Sequence, residues 1–272
     1  MNDIFTMILG PIILIHIFYG VAVATKNLSV IDTAWGLGLI LLSIIACFLS
    51  GFSFSRENVL FLMVAIWGLR LALFIHSRNH GKGEDFRYAN WRKDWGDKTN
   101  LIAYFKVYWL QIVLMLVVGM PIFAVHQNPG NTFNWINILG LVLWIFGLSW
   151  EAIGDYQKSK FKSIKGNEHK ICTVGLWHLS RHPNYFGEAT LWWGIALMSI
   201  STGHYYGLIG SAFINFLLLK VSGVPLIEKK HEHNPEGMKS IPSWKRLSIR
   251  INLMKGSEVK FIFQKAKGLF QE

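Results

Sequence analysis

The chain has 272 residues, of which 52% are hydrophobic and 16% are charged, and its formal net charge is +11. A soluble domain normally carries about 25% charged residues, so this composition excludes an ordinary soluble domain. The apolar residues form long blocks instead, each near the roughly 20 residues that cross a hydrocarbon core as a helix.

Seven apolar blocks predict about seven transmembrane helices in one all-α bundle. In chain order the blocks cover residues 4–24, 30–50, 58–76, 101–126, 133–153, 186–202 and 205–222. The first block ends in a small-x-small pattern like that of a signal-cleavage site. Its amino end carries Asp3 and no Lys or Arg, however, and its apolar run exceeds the roughly 7–15 residues of a signal. We therefore interpret it as a retained span.

The placement of the basic residues predicts the orientation. If the amino terminus lies outside, the cytoplasmic segments are 25–29, 77–100, 154–185 and 223–272, and they hold 23 of the 27 Lys and Arg residues. This asymmetry follows the positive-inside rule. We expect a protein of the inner (cytoplasmic) membrane with a cytoplasmic carboxyl terminus. The basic surplus then faces the anionic lipid of the bilayer and any anionic ligand, and no nucleic-acid partner is expected.

The chain divides into a membrane domain and a tail. Residues 1–233 form the predicted seven-helix domain, and residues 234–272 form a basic cytoplasmic tail. Four apolar residues of the tail recur at helical spacing between basic ones: Trp244, Leu247, Ile251 and Met254. That pattern is typical of a helix in the membrane interface, and a solvated basic tail is the alternative.

The start of the sixth span carries polar residues typical of a ligand site. The His182-Pro dipeptide ends any preceding helix, and Asn184 is placed as the amino-terminal cap of the next. If the helical turn reaches back to Arg181, then Arg181, Asn184 and Glu188 share a face, with Tyr185 beside them. A carboxylate one turn inside an apolar span needs a partner. We interpret Glu188 as a ligand-binding residue, and an ion pair between helices is the alternative.

The fifth span continues into a charged helical face. Glu151, Asp155, Lys158 and Lys162 follow one another at i, i+4, i+7 and i+11. Acid–base pairs at this spacing stabilise a helix by only about 0.2–0.5 kcal/mol each, so helix stability alone does not require them. Together with Arg181 they form a cationic corner suited to phosphates, with acids for ribose hydroxyls. A solvated charged face is the alternative.

Two more polar residues lie in the early spans. Arg70 is about two turns from the cytoplasmic end of the third span, where it can snorkel or reach a bound anion. Asp32 opens the second span, as a helix-start acid or as a pocket residue. The sequence contains no Gly-rich dinucleotide fingerprint, no Walker loop and no zinc-binding spacing. Cys47 and Cys172 lie on different segments, so neither a disulfide nor a metal site is expected.

One run of residues resembles a known family. Gly175-Leu-Trp-His-Leu-Ser-Arg-His-Pro-Asn-Tyr-Phe-Gly-Glu188, followed by Trp192-Trp-Gly194, resembles the signature of steroid 5-alpha-reductase-like membrane proteins, as in their bacterial branch of uncharacterised proteins. Other similar motifs lie within residues 28–233: Asp32-Thr-Ala-Trp-Gly, Trp67-Gly-Leu-Arg70, Gly81-Lys-Gly-Glu-Asp85, Arg87-Tyr88, Trp91-Arg92, Gly154-Asp-Tyr-Gln157, Phe161-Lys162 and Val221-Ser-Gly-Val-Pro-Leu-Ile-Glu228.

The resemblance implies a seven-helix fold in which cytoplasmic loops form a pocket for NADPH. It also implies reduction of a carbon–carbon double bond conjugated to a carbonyl in a lipophilic substrate. The residues that would contact NADPH by this resemblance are Asp155, Lys162, Arg181, His182, Asn184, Tyr185 and Glu188, with Arg70 as a further phosphate contact.

The early helices depart from the family pattern. Eukaryotic members polarise the substrate carbonyl with a Glu and a Tyr from these helices, whereas the third span of this chain has no Tyr. The catalytic candidates are therefore Asp32, Glu84, Asp85 and Tyr88. We expect a steroid-like, isoprenoid or other lipid substrate.

Two other functions fit the same residues. Arg-His-Pro-x-Tyr also occurs in membrane methyltransferases that act on isoprenylated cysteine or phospholipids with S-adenosylmethionine. A non-catalytic lipid-binding or scaffold protein is the third reading. The cationic corner favours NADPH, because a 2′-phosphate and a pyrophosphate need several positive groups, whereas S-adenosylmethionine has no phosphate.

Single cysteines test the orientation in a chain that lacks Cys47 and Cys172. A reagent that cannot cross the membrane should miss Lys82→Cys and Lys170→Cys when it is added from outside, and should label both once the cytoplasmic face is opened. Gln127→Cys, in a predicted outer loop, is the control that should label from outside. Ready outside labelling at position 82 or 170 would contradict the predicted topology.

Overall fold

The regular structure of the protein is helical. The computed structural model describes residues 2–52, 56–128, 130, 133–168 and 170–225. Within these residues there is no β-strand, which agrees with the predicted all-α class. The predicted tail at 234–272, with its interfacial helix, lies outside the described residues, as does the end of the motif at 221–228.

The helices follow one another with short connections. They are α1 (Asn2–Thr25), α2 (Ile31–Leu49), α3 (Arg56–Asn79), α4 (Phe86–Trp95), α5 (Thr99–Ala103), α6 (Leu110–Val118), α7 (Met120–His126), α8 (Trp135–Ser163), α9 (Leu176–Leu179), α10 (Pro183–Ile200) and α11 (Gly207–Phe216). Short 3-10 turns lie at Leu28–Val30 and Gly96–Lys98, and π-helical turns lie at Tyr104–Trp109 and Leu217–Val221.

Five stretches of the described helices are long and apolar enough to cross a membrane. They are Asp3–Thr25, Leu28–Leu49, Arg56–Asn79, Phe86–Val118 and Trp135–Ser163. The chain is therefore a multi-pass membrane protein. The last two predicted spans correspond to shorter helices, the 18 residues of α10 and the apolar Gly207–Val221. The total of seven membrane spans therefore remains a prediction.

The fourth span differs from its expected form. Helix begins at Phe86, well before the predicted 101–126, and runs through the 3-10 and π-helical turns to Val118. The Asp85 side chain starts it as an amino-terminal cap, accepting a hydrogen bond from the Arg87 N–H. Much of the predicted cytoplasmic loop at 77–100 is therefore helix.

Helix α10 begins two residues earlier than predicted. Pro183 is its first residue, where the fixed backbone angle and the missing N–H of proline are tolerated. The carbonyl of His182 accepts the first hydrogen bond, from the Phe186 N–H at 3.1 Å. The prediction that Asn184 caps this helix was therefore wrong, and the helical turn does not extend back to Arg181.

The chain divides into two compact units. The first comprises Met1–Leu148 with Ala189–Asn215, and the second comprises Ser149–Glu188 with Phe216–Glu272. The predicted catalytic residues and Arg70 belong to the first unit. The other predicted cofactor residues belong to the second.

Glycine pairs bring helices of the first unit into backbone contact. A Cβ atom added to Gly36 of α2 would lie 2.5 Å from the carbonyl oxygen of Gly68 in α3, and one added to Gly68 would lie 2.8 Å from the carbonyl oxygen of Gly36. Gly140 of α8 and Gly194 of α10 approach each other in the same reciprocal way. Small residues at such crossings let helices pack closely where lipid offers no hydrophobic driving force.

Gly36→Ala should destabilise the protein. The new methyl would meet a backbone oxygen, so α2 and α3 would have to separate, and we expect the free energy of unfolding to fall by about 1–3 kcal/mol. The measurement is the thermal unfolding midpoint in detergent. The control is Gly20→Ala in α1, where nothing lies within 4 Å of the added carbon and Ala is the better helix former. Equal midpoints for the two variants would contradict the close crossing.

Candidate functional site

The first unit holds a network of charged side chains at the start of α2. We call it the Asp32 network. Asp32 lies in the first turn of α2 and accepts hydrogen bonds on both carboxylate oxygens. The Tyr88 hydroxyl donates to Oδ1 at 2.6 Å, and Arg87 Nη2 donates to Oδ2 at 2.7 Å. Because Tyr88 and Arg87 lie on α4, Asp32 fastens the beginning of α2 to that helix.

Two more carboxylates belong to the Asp32 network. Arg87 Nε donates to Asp85 Oδ1 at 2.8 Å, so one guanidinium bridges Asp32 and Asp85. Arg92 donates from Nε and Nη2 to the two oxygens of Glu84, each at 2.9 Å. The Leu28 N–H also donates to Glu84, at 2.7 Å. Paired bonds of this kind are among the stronger hydrogen bonds in proteins.

These contacts lower the pKa values of the two loop carboxyls, Glu84 and Asp85. Burial alone raises the pKa of Glu84, but hydrogen bonds from Arg92 and the Leu28 N–H and the Arg92 charge outweigh it and lower the pKa overall. Burial likewise opposes the shift at Asp85, where hydrogen bonds to Arg87 lower the pKa. Both groups are therefore ionised at neutral pH and hold no proton to donate.

Tyr88 differs from the carboxylates of the network. Its side chain is buried, at 3% exposure, and its hydroxyl proton lies in the bond to Asp32. The structure thus brings all four predicted catalytic residues into one network. It adds Arg87 and Arg92, which the sequence indicated only as parts of family motifs and not as site residues. Their position in the Arg87-Tyr88 and Trp91-Arg92 motifs was the signal that could have found them.

The second unit buries three carboxylates. Glu151, Asp155 and Glu188 are 2%, 6% and 8% exposed. Glu151 and Asp155 are four residues apart on α8, which continues unbroken to Ser163 as predicted. Burying a carboxylate costs free energy unless the protein makes compensating contacts with it. Contacts within the protein, and not solvent, therefore stabilise these three groups. We call the surroundings of these carboxylates, with Gly154 and Asn184, the α8–α10 corner.

Backbone contact sets the geometry of the corner. A Cβ atom on Gly154 would lie 3.2 Å from the Asn184 backbone nitrogen, so α8 meets the first turn of α10 directly. The Gly154 carbonyl accepts a hydrogen bond from Trp177 Nε1 at 2.8 Å, and Gln157 accepts one from the Leu176 N–H at 2.8 Å. The Gly-Asp-Tyr-Gln motif thereby holds the segment that leads into α10.

The predicted cations of the corner have several roles. Lys162 Nζ donates to the carbonyls of Glu168 and Lys170 at 2.6 and 2.5 Å, which closes the loop after α8. Lys158 Nζ lies 4.8 Å from the ring centre of Trp177, a cation–π distance. Arg181 lies half-buried just before α10.

Two further predicted residues flank the start of α10. The His182 and Tyr185 rings lie nearly parallel, with centroids 5.7 Å apart. The Asn184 side-chain oxygen is buried and accepts no hydrogen bond from the described part of the chain. A buried acceptor without a donor costs about 1–3 kcal/mol, so this atom is suited to receive a donor from a ligand.

Arg70 belongs to a different unit from the other predicted cofactor residues. It is half-buried on α3, in the first unit, and each unit is described by itself. The other predicted cofactor residues all lie in the second unit.

A further polar cluster was not predicted. Glu57, 2% exposed at the start of α3, contacts His126 Nδ1 at 2.8 Å. The neighbouring Arg56, 5% exposed, donates to the carbonyls of Ser201 and Asn128 at 2.7 and 3.1 Å. The sequence placed Arg56 in an outer loop, and its pattern carried no sign that long-range carbonyls would bury it.

Comparison with known proteins shows that the amino-acid sequence matches a family. Residues 18–242 match a family described as "Protein of unknown function (DUF1295)", which is more than half of the chain. The chain belongs to this family. No solved structure gives a significant match.

Two relatives show how far the similarity extends. An uncharacterised protein of Schizosaccharomyces pombe is 23% identical over 221 residues, which cover 70% of this chain and 63% of the relative. The steroid 5-alpha-reductase DET2 of Arabidopsis thaliana is 34% identical over 74 residues, which cover 27% of this chain and 28% of that protein. The chain thus spans less than two thirds of the length of either relative, and the resemblance to steroid 5-alpha-reductase-like proteins is supported in part.

Glu84→Gln should lower the free energy of unfolding at neutral pH. It should also make that free energy depend less on pH in the acid range. The variant loses the charge that Arg92 binds, and we expect a loss of about 1–3 kcal/mol. Because the folded pKa of Glu84 is lowered, its contribution is complete above the ordinary carboxyl pKa of about 4.3 and declines as the pH falls through the folded value. The difference in the free energy of unfolding between wild type and variant should therefore become smaller as the pH falls.

Thermal unfolding in detergent between neutral and acidic pH measures this effect. Asp94→Asn, at an exposed carboxylate on α4, the helix that carries Arg92, is the matched control and should leave the curve almost unchanged. A gap between wild type and Glu84→Gln that stays constant down to strong acid would show that the Glu84 charge does not stabilise the fold.

Proposed function

We propose that this protein is a membrane-embedded, NADPH-dependent reductase of a carbon–carbon double bond conjugated to a carbonyl. The substrate is a lipophilic molecule of steroid-like or isoprenoid type, and the chain belongs with the bacterial branch that its motifs resemble. Family membership and the partial match to the Arabidopsis reductase support a membrane reductase. The observation that supports NADPH as the cofactor is made at the α8–α10 corner. There the buried Asn184 oxygen belongs to the same unit as three buried carboxylates.

The chemistry of the corner fits a dinucleotide. The Asn184 oxygen and the Glu188 carboxylate accept hydrogen bonds, as the amide and ribose hydroxyl donors of NADPH require. The Asp155 carboxylate, one turn beyond Glu151, offers a further acceptor. Arg181 and Lys162 supply positive charge for the phosphates, with Arg70 as the additional phosphate contact, while His182 and Tyr185 flank the site. When bound, NADPH supplies a hydride to the carbon β to the substrate carbonyl.

In this proposal the Asp32 network supplies the proton that the substrate carbonyl receives. Of the four predicted catalytic residues, Tyr88 is the one that carries a proton at neutral pH, so its hydroxyl is the proposed donor to the substrate carbonyl. In the free protein Asp32 accepts that proton in a hydrogen bond and positions the phenol, and on substrate binding the hydroxyl exchanges this bond for one to the carbonyl oxygen. Glu84 and Asp85 are ionised and position the two arginines.

The membrane arrangement completes the proposal. The chain crosses the inner membrane seven times, with α10 and the helix after Gly207 as the last two spans. The amino terminus is outside, and the cofactor pocket opens to the cytoplasm, where NADPH is available. The positive-inside distribution of Lys and Arg supports this orientation.

Ligand-induced stabilisation of detergent-purified protein tests the cofactor. NADPH should raise the unfolding midpoint more than NADH does, because the 2′-phosphate adds charge-assisted contacts. Losing one such contact costs about 1.5–3 kcal/mol, so Arg181→Ala should weaken NADPH binding by on the order of tenfold or more. Lys165→Ala removes an exposed charge of the same unit and should bind as wild type does. Glu188→Gln keeps the side-chain shape, so it should lose the NADPH shift with little change in the apo midpoint.

Three outcomes would count against the proposal. Stabilisation by S-adenosylmethionine and not by NADPH would favour the methyltransferase reading. Equal NADPH affinity in Arg181→Ala and wild type would remove Arg181 from the site. A destabilised apo Glu188→Gln that still gains the full NADPH shift would make Glu188 a structural residue.

A further inference from the structure

An imidazole and a phenol are hydrogen-bonded to each other inside the predicted membrane region of the first unit. His16 Nε2 lies 3.0 Å from the hydroxyl oxygen of Tyr104. His16 is nine residues from the end of α1 at Thr25, or about 13 Å along the helix, so it lies within a hydrocarbon core roughly 30 Å thick. Polar side chains at that depth are expensive and commonly mark function.

The second nitrogen of His16 decides which partner donates. Nδ1 lies 2.7 Å from the Ile12 carbonyl oxygen, which can only accept, so Nδ1 carries the hydrogen. In the neutral imidazole Nε2 then carries the lone pair and accepts a hydrogen bond. Tyr104 therefore donates its single proton to His16.

This arrangement leaves the Tyr104 oxygen as an acceptor. No described residue donates a hydrogen bond to it. Its lone pairs are suited to a hydroxyl or N–H donor from another molecule, and not to a carbonyl, which needs a proton. The His16–Tyr104 pair is thus selective for donors as long as the imidazole is neutral.

A π-helical turn builds aromatic walls around the pair. Residues five apart in an α-helix point about 140° away from each other, but i→i+5 hydrogen bonding at Tyr104–Trp109 widens the turn and brings both rings to His16. The ring centroids of His16 lie 5.8 Å from Tyr104 and 6.0 Å from Trp109, each edge to face. Tyr19 closes another side, 4.9 Å from Tyr104. π-Helical turns of this kind are frequent at functional sites.

The pair is reachable from the hydrocarbon. His16 and Tyr104 are each half-buried. On α1, the neighbouring Ile13 and Ile17 are 56% and 58% exposed, and on the facing segment Phe105 is 59% exposed. An apolar molecule could therefore lie against these side chains with its polar end at Tyr104.

We propose that the His16–Tyr104 pair is a binding site, within the membrane, for the hydroxyl group of a lipophilic alcohol. The alcohol donates its proton to Tyr104 Oη, while its hydrocarbon lies along the exposed apolar residues of α1 and the π-helical turn. The site goes beyond the reductase proposal and does not depend on it, because binding here involves neither NADPH nor the α8–α10 corner.

A matched pair of probes tests the site in purified protein without NADPH. Farnesol and farnesyl methyl ether share a hydrocarbon chain, but only the alcohol has an O–H to donate. At equal ratios of probe to detergent, farnesol should raise the unfolding midpoint of the wild type more than the ether does. One neutral hydrogen bond corresponds to about a two- to tenfold difference in affinity.

Two variants separate binding from helix packing. Tyr104→Phe removes the acceptor oxygen but exposes the Nε2 lone pair of His16, so it is combined with His16→Phe, and farnesol and its ether should stabilise the double variant equally. Tyr205→Phe, at a tyrosine that is 66% exposed, is the control and should retain the preference for the alcohol. An equal response of the wild type to both probes would overturn the proposal. So would a double variant that is less stable without ligand yet keeps the full difference between alcohol and ether, since the pair would then serve packing alone.

Discussion

Hydrocarbon cannot hydrogen-bond to a protein, and this constraint shapes the polar part of the structure. A polar group that enters the membrane region is costly unless it finds a partner within the chain. Asp32 is the clearest case in the first unit, because its two carboxylate oxygens are taken by Tyr88 and Arg87. That ion pair fastens the start of α2 to α4 and, through Asp85, to the loop before α4. The early helices could not meet in this way if the carboxylate were solvated.

The same constraint explains where helices approach one another. Lipid tails are as apolar as the helix surfaces, so close packing must come from shape, and glycine supplies it. Gly36 faces Gly68, and Gly154 faces the backbone of Asn184 in the second unit. At each crossing the backbones come within contact distance, which brings polar side chains on neighbouring turns near one another. In the second unit, Asp155 is adjacent to Gly154, and Glu188 is one turn beyond Asn184.

Backbone irregularities place side chains that a regular helix would separate. The π-helical turn at Tyr104–Trp109 gathers two aromatic rings around His16. The Asp85 cap starts a helix where the charge density of the sequence indicated a loop. The rings around the π-helical turn meet through contacts between residues far apart in the chain, such as His16 with Tyr104, whereas the Asp85 cap is a local bond to the Arg87 N–H.

The sequence by itself determined the class of the protein and the nature of its polar faces. Apolar blocks of bilayer length require helices, because only helices satisfy their own backbone in lipid, and the 3.6-residue repeat predicted the charged face of α8 through Lys162. The motifs around Arg181-His182-Pro183 indicated the family. Only the tertiary structure decided that Pro183, and not Asn184, opens α10, that Lys162 binds two loop carbonyls, and that Arg87 and Arg92 hold the carboxylates at the start of α2. Periodicity reports which residues share a face of one helix, whereas partners on different helices depend on packing, which a single sequence does not contain.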